Sequence, residues 1–432
     1  MPSIPLSLLD ELYLNLDRDT EPWTVHYELR LGVHLDPDRL SAAIAQAADA
    51  HPLARSRLAP WRLQDRGYDW EIADRLDDVP LRVTECADEA ALESERERVF
   101  CTSPSLMSAP PFMIVLARGP AGDSVMLNLH HAAGDGISAA RLLLSITRAY
   151  AGEADPVPPL DPLAVHDVRV LAAARSAREV SARRRAMLTA SWRPVVQPAR
   201  VARDGGDDRP AYGFECFALS VAESRSLFAR RPKTATVNDV LLAALAIAIG
   251  RWNAEHGRRA SPIALSMPVN LRPPEWQHEI FSNFASWVTV WVRPQRGEDL
   301  NSVVSRVAQR TGAIKRDRLG GMAVDMLTVT SRLMIAAKRW FAHMKAATAA
   351  AVVDTASLSN LGALDPLPAL FGGAEVAVWF SPPSQMPLGV GVGAVTLRDR
   401  LYVTMRYRHA QFDRGAARRF AELYRQILAG TG

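Results

Sequence analysis

The stretch Leu127-Asn128-Leu129-His130-His131-Ala132-Ala133-Gly134-Asp135-Gly136-Ile137 decides how the whole chain is read. Ser124 to His130 alternates like a strand, with Val125, Leu127 and Leu129 on one face. Ile137 to Ala151 reads as a helix burying Leu142, Leu143, Ile146 and Ala149. Between them lies a loop too short and too polar for an ordinary strand-to-helix crossing. Successive strand side chains point to opposite sides, so His130 and His131 cannot both face one cavity. His131 is taken as the reactive histidine and His130 as its structural neighbour. An imidazole titrates near ~6.5, so it can take and return a proton at neutral pH. Asp135 is close enough to fix the histidine's surroundings. Gly136, lacking a Cβ, permits a strained turn and close backbone approach. The first amides of the following helix point back at the loop and favour developing negative charge. The same residues admit a structural histidine at a strand end, or a metal site of His130, His131 and Asp135. The opposed histidines and the lack of a convincing further ligand weigh against the metal.

On the N-terminal side, Ser7-Leu8-Leu9-Asp10 opens a short helix with a capping-box pattern. Val25 to Leu31 alternates like a strand, and Asp36-Pro37 starts a helix that buries Leu40, Ile44 and Ala47 and stops at His51-Pro52. Phe112 to Ala117 pairs with the histidine strand across a turn-rich linker. On the C-terminal side, Asp155 to Leu163 is rich in Pro and apolar residues, Ala172 to Met187 is rich in Arg and Ala, and a flexible loop is expected near Gly205. Thr236 caps a helix whose residues Val240 to Ile249 are apolar on nearly all faces, which predicts a buried central helix. Strands are expected at Phe214–Leu219, Ile263–Met267 and Ser286–Val292, and helices at Asn301–Arg316 and within Met322–Ala351. A hairpin follows over Val390–Leu397 and Leu401–Arg408. A last helix is capped by Asp413, buries Phe420, Leu423, Tyr424 and Ile427, and ends at Gly430.

The 432 residues suit two domains or one two-lobed unit, and 48% hydrophobic content supports a large core. The formal net charge is only +4, and no Lys/Arg run interleaves with aromatics, so nucleic-acid binding is not indicated. The three cysteines, Cys86, Cys101 and Cys216, are odd in number and read as reduced thiols of a cytoplasmic protein. The N-terminus is not a signal peptide, and Val240 to Gly250 is too short to cross a bilayer.

His130-His131-x-x-x-Asp135-Gly136 resembles the HHxxxDG signature of the CoA- and carrier-protein-dependent acyltransferase superfamily. That group holds nonribosomal peptide synthetase condensation domains, polyketide-associated ester-forming acyltransferases, wax ester synthases and the plant BAHD enzymes. Further segments resemble the superfamily in its order: Thr236-Val237-Asn238-Asp239, Pro268-Val269-Asn270-Leu271-Arg272, Phe281-Ser282-Asn283-Phe284 and Ser357-Leu358-Ser359-Asn360-Leu361-Gly362. The absence of an Asp-Phe-Gly-Trp-Gly segment sets the plant branch aside.

The resemblance implies an α/β fold of two chloramphenicol acetyltransferase-like lobes in a V around a central tunnel. The N-terminal lobe would span residues 1–170, a crossover 171–210 and the C-terminal lobe 211–432. His131 would be the general base, with His130, Asp135, Gly136 and Arg272 structural and Asp135 paired to Arg272. Ser359, Asn360 and Asn283 would contact substrate or oxyanion, and no metal is implied. The donor would be a CoA or phosphopantetheine thioester, presented as acyl-CoA or on an acyl or peptidyl carrier protein, with no bound cofactor. The acceptor would be a small-molecule alcohol, in natural-product or lipid biosynthesis. A free-standing, monomeric enzyme is expected, because the sequence ends after the last helix. Three other readings stay open: an amide-forming condensation enzyme acting on carrier-protein-bound substrates, a non-catalytic scaffold that docks carrier proteins, and a zinc hydrolase.

Overall fold

The computed structural model describes residues 2–156, 161–191, 197–207, 209, 211–276, 280–364, 371, 376–384 and 389–431. Two mixed sheets dominate it. The first has five strands in the order Val376–Ser381, Thr24–Leu31, Gly122–His130, Phe112–Gly119 and Leu81–Glu85. Only the last pair runs parallel. The second has six strands in the order Ala285–Val292, Ile263–Asn270, Ala356–Ala363, Val390–Leu397, Arg400–Arg408 and Tyr212–Ala218. A small three-stranded sheet, Ser3–Pro5, Asp69–Ile72 and Ser56–Leu58, sits beside the first.

The histidine strand is more buried than its alternation suggested. Val125, Leu127 and Leu129 join the large core with the helices Pro37–Ala50 and Gly136–Ala151. Met126, on the opposite face, packs with Val99 and Phe100 of the helix Glu89–Phe100. The polar residue on that face, Asn128, is wholly buried and donates to the carbonyls of Val99 and Thr102. A sheet covered by helices on both faces needs such a partner for every inward polar group. The helix Gly136–Ala151 is likewise buried continuously from Ser138 to Thr147, while Ala149 is half-buried rather than buried.

Local capping follows the sequence. Ser7 forms a capping box with Asp10, Asp36 caps Pro37–Ala50 with Pro37 in its first turn, and Thr236 forms a capping box with Asp239. The helix Val237–Glu255 is buried at every position from Val240 to Ile249 and centres the second core. Asp413 caps the last helix, in which Leu423 is half-buried and Leu428 takes a core place. Residues 157–160 of the Pro-rich stretch lie outside the described residues.

Two features depart from the linear reading. Residues near Gly205 are pinned rather than loose. Asp204 and Gly205 bridge to Phe412, the Asp204 carboxylate meets Arg419 and His256, and Trp252 donates to Ala202. Gly205 has φ +65°, and a Cβ there would collide with Asp413, so glycine is required. The strand Val376–Ser381, far along the chain, completes the edge of the first sheet by pairing with Thr24–Leu31. It also packs on the strands Val390–Leu397 and Arg400–Arg408 of the second sheet, with Trp379 edge-on to Tyr402 at 5.2 Å. The two sheets are thereby tied together next to the histidine loop.

Candidate active site

The strand ends at His130, and its paired registers with Thr24–Leu31 and Phe112–Gly119 aim the next residue into the space between the sheets. His131 lines a cavity of about 300 Å³ with residues from both sheets. Its apolar wall includes Trp23, Val25, Ile137, Trp287, Leu358 and Phe380. The His131 backbone is held from two sides: its N–H donates to Trp23 O at 2.8 Å, and its carbonyl accepts from the Asn283 amide at 2.7 Å. The imidazole stacks on Tyr13, ring centroids 4.0 Å apart and planes 24° apart. Tyr13 in turn donates its hydroxyl to Ala285 O at 2.7 Å and stacks on Trp23. That clamp leaves the imidazole little rotational freedom.

Burial pushes the His131 pKa down to about 4; the Asp135 charge opposes the shift, and so do the backbone carbonyls of His131 and Gly134. His131 is therefore a neutral imidazole at physiological pH, the form that accepts a proton. Its Nδ1 is buried and meets no partner at hydrogen-bonding distance.

His130 does different work. Its Nδ1 accepts from the Ala132 N–H at 3.1 Å and its Nε2 lies 3.4 Å from Asp17 Oδ2. This network fits the Nε2–H tautomer. Asp17 also accepts from Trp23 N and Ser103 Oγ. Burial alone would raise the Asp17 pKa, but His130 and these donors bring it below the carboxylate range.

Asp135 is the keystone of the loop. Its carboxylate accepts from Arg272 Nη1 at 2.6 Å and Nη2 at 2.8 Å, from Ser138 N at 3.0 Å, from Ser138 Oγ at 3.1 Å and from Phe284 N at 2.9 Å. Burial would raise its pKa, yet Arg272 outweighs burial and holds it low. Arg272 also donates to Ser282 O and lies 4.6 Å above the Phe284 ring. One sequence expectation changes here. Asp135 caps the helix Gly136–Ala151, so the positive end of that helix is spent on Asp135 rather than left for a reacting oxyanion. Gly136 is needed for space, not for a strained turn: a Cβ would come within 3.0 Å of Leu361 and Phe380.

Of the expected substrate contacts, Ser359 and Asn360 do line the cavity, although Asn360 Oδ1 accepts from Gly362 N. Asn283 does not line it. It is wholly buried behind the loop and its amide is occupied by the His131 carbonyl, which makes it a brace for the base. Asp239 is occupied by its helix cap and by Thr311, and His51 ends its helix with Nε2 on Ser145 Oγ.

The sequence reading missed four contributors: Tyr13, Asp17, His166 and Ser357. Tyr13 looks like any buried aromatic of a short amphipathic helix, so nothing local marks it. His166 lies 2.8 Å from Asp10 and 2.8 Å from Ser282 Oγ, which supports the Phe281–Phe284 turn from behind. Ser357 could have been found, because strand periodicity places it with Ser359. Its Oγ is buried at the cavity wall and unpartnered. Of the three candidate metal ligands, His130 is engaged by Asp17 and Ala132, and Asp135 by Arg272. Among the described residues no group of three His, Cys, Asp or Glu is placed to hold an ion.

The chain belongs to the condensation domain family, whose profile matches residues 12–320; members are typically acyl or peptidyl transferases. It is 36% identical, over 99% of this chain and 99% of theirs, to two uncharacterised Mycobacterium tuberculosis proteins, Rv2305 of strain H37Rv and MT2362 of strain CDC 1551. Among solved structures, the first condensation domain of the calcium-dependent antibiotic synthetase superposes with a TM-score of 0.71 at 17% identity, covering 99% of this chain and 96% of that one. The epimerization domain from the third module of tyrocidine synthetase B gives 0.68 at 17% identity over 100% and 96%. The starter condensation domain of rhizomide synthetase, solved with C8-CoA and Leu-SNAC, gives 0.67 at 16% identity over 99% and 94%.

Proposed function

We propose that this protein transfers an acyl group from a pantetheine thioester, carried by CoA or a carrier protein, to a hydroxyl acceptor, with His131 as general base. The carrying observation is the His131 imidazole itself. It is kept neutral by burial, oriented by Tyr13, and set in the wall of a cavity of about 300 Å³ lined from both sheets. A hydroxyl keeps its proton until it attacks, so the reaction needs a base in the transition state. In the proposed step the acceptor oxygen bonds to the thioester carbonyl carbon as His131 takes the hydroxyl proton. The tetrahedral oxyanion then collapses, the C–S bond breaks, and the imidazolium returns its proton to the leaving thiolate. Asp135 stabilises the transient imidazolium through space while remaining bound to Arg272. Ser357 and Ser359 stand in the wall with hydroxyls available to the oxyanion or to the acceptor.

Direct transfer is favoured over an acyl-enzyme. Among the described residues no hydroxyl or thiol is hydrogen-bonded to the His131 ring, so no serine or cysteine is activated as a nucleophile. The test is intact-mass and chromatographic screening of acyl-CoAs and acyl-carrier proteins against alcohol and amine acceptors, with His131→Ala in parallel. Ester formation should fall by about 10²–10⁴-fold in the variant. Undiminished turnover in His131→Ala refutes the base, and amide as the sole product refutes the hydroxyl acceptor.

A further inference from the structure

The first part of the helix Ile335–Val352, as far as Met344, turns apolar side chains to solvent. Its inner stripe is Ile335, Lys338 and Ala342, spaced at three and four residues: Ile335 is wholly buried, Lys338 Nζ reaches Glu11 Oε1, and the Ala342 carbonyl accepts from Arg18. Trp340, Phe341 and Met344 lie on the opposite side of the helix, with Trp340 57% and Phe341 53% exposed. Their two aromatic rings are packed edge-on at 5.1 Å, a preformed pair rather than two independent side chains. The turn before the helix adds exposed Leu333 and Met334, and the end of the helix Gly321–Thr330 adds Val329, 75% exposed. Single exposed apolar residues are ordinary, but a contiguous cluster with aromatics at its centre marks an interaction surface.

Charge identifies the occupant. The sequence from Met326 to Val353 contains no Asp or Glu, while it holds Arg332, Arg339 and Lys345 besides Lys338, which is spent on Glu11. Arg332 is exposed, and the Arg339 guanidinium lies 5.2 Å over the Trp61 ring at the edge of the cluster. Neighbouring acids already have partners: Glu11 pairs with Lys338, Asp325 pairs with Arg183, and Asp65 accepts from the Arg62 backbone. A second copy of the chain docked across a twofold axis would set these cations against one another. An anionic lipid surface answers both features, because headgroup phosphates take the cations while Trp, Phe and Met enter the acyl boundary.

We infer that the outward-facing Trp340, Phe341 and Met344, with Val329, Leu333 and Met334, dock this protein on an anionic bilayer surface. No described helix is long and apolar enough to cross a membrane, so the contact is peripheral. The inner stripe of the same helix packs on Leu8–Leu16, whose Leu12, Tyr13 and Leu16 line the histidine cavity. Docking therefore sets the lipid boundary about one helix diameter, ~10 Å, from the cavity wall. The inference stands on this surface alone and does not depend on the acyl-transfer reading.

Co-sedimentation with phosphatidylcholine vesicles, with and without phosphatidylglycerol, tests it on the full chain. Binding should rise about tenfold with phosphatidylglycerol and weaken as salt shortens the screening length. The Trp340→Ser/Phe341→Ser double variant should lose about tenfold in vesicle binding, and Arg332→Glu should lose the phosphatidylglycerol preference. Both variants should keep the native circular dichroism, melting midpoint and acyl transfer with soluble substrates, because the substituted residues are exposed. Absence of binding to anionic vesicles, or equal binding by the double variant, overturns the proposal. So does a dimer that the double variant converts to monomer in sedimentation velocity, or an acyl-carrier protein retained only by the native face while vesicles are not.

Discussion

Replacing Arg272 by Met should destabilise this protein more than the loss of its hydrogen bonds alone would. Met keeps much of the side-chain volume but removes the guanidinium. Asp135, 1% exposed, would keep Ser138 N, Ser138 Oγ and Phe284 N as donors and lose the cation paired with it. The Ser282 carbonyl would lose a donor as well. Removing one partner of a buried ion pair costs about 3–5 kcal/mol, because the other charge is left uncompensated. At roughly 2–4 °C per kcal/mol, the apparent melting midpoint should fall by about 6–20 °C. Asp135→Asn strands Arg272 in the same way and should also lower stability and activity together. The Asp135→Asn/Arg272→Met double variant removes both charges, so its deficit should be smaller than the sum of the single deficits by about 1–3 kcal/mol. The pH dependence supplies a sign. In the native protein the Asp135 pKa is held low, so its stabilisation is present above the unfolded carboxylate pKa of ~4 and is lost as pH falls through the lower folded value. In Arg272→Met, burial acts without the cation and raises that pKa, so the deficit should shrink as the solution is acidified toward ~4. Denaturant and thermal melts of the four proteins at several pH values measure all of this. An Arg272→Met midpoint within about 1 kcal/mol of native, or strictly additive deficits, would refute the keystone role.

Further outcomes follow from the same geometry. Because His131 is held near 4, kcat/KM should stay flat through neutral pH and show its acid limb near 4; a limb at ~6.5 would mean that the ring is solvated in the free enzyme. His26, held well below 6.5, and His51, pushed to about 3, share the sign of His131, so their stabilising effect is present above ~6.5 and wanes as pH drops toward their folded values. His166 is raised and runs the other way, with stability lost as pH rises through its folded pKa. Tyr13→Leu removes the ring stacked 4.0 Å from His131 and the hydroxyl bound to Ala285. It should lower kcat by about tenfold or more with little change in KM, since misplacing a base acts on the transition state; an unchanged kcat would show that the clamp is dispensable.

The sequence by itself determined the local pieces: the capping boxes at Ser7 and Thr236, the buried helix after Thr236, and the histidine strand. Strand alternation also separated His131 from His130, and the resemblance added the pairing of Asp135 with Arg272. These were legible because the cause is short-range, a cap reaching three residues or a periodicity of two or 3.6, or because a motif carries both partners. Tertiary structure alone decided the rest. It brought Tyr13 from the first helix onto His131, moved Asn283 from the cavity to the back of the loop, spent the helix dipole on Asp135, and fitted Val376–Ser381 to the edge of the first sheet. It also decided that His131 stays neutral. A side chain's pKa is set by what surrounds it in space, and the groups that bury and clamp this imidazole lie more than a hundred residues away on either side of it.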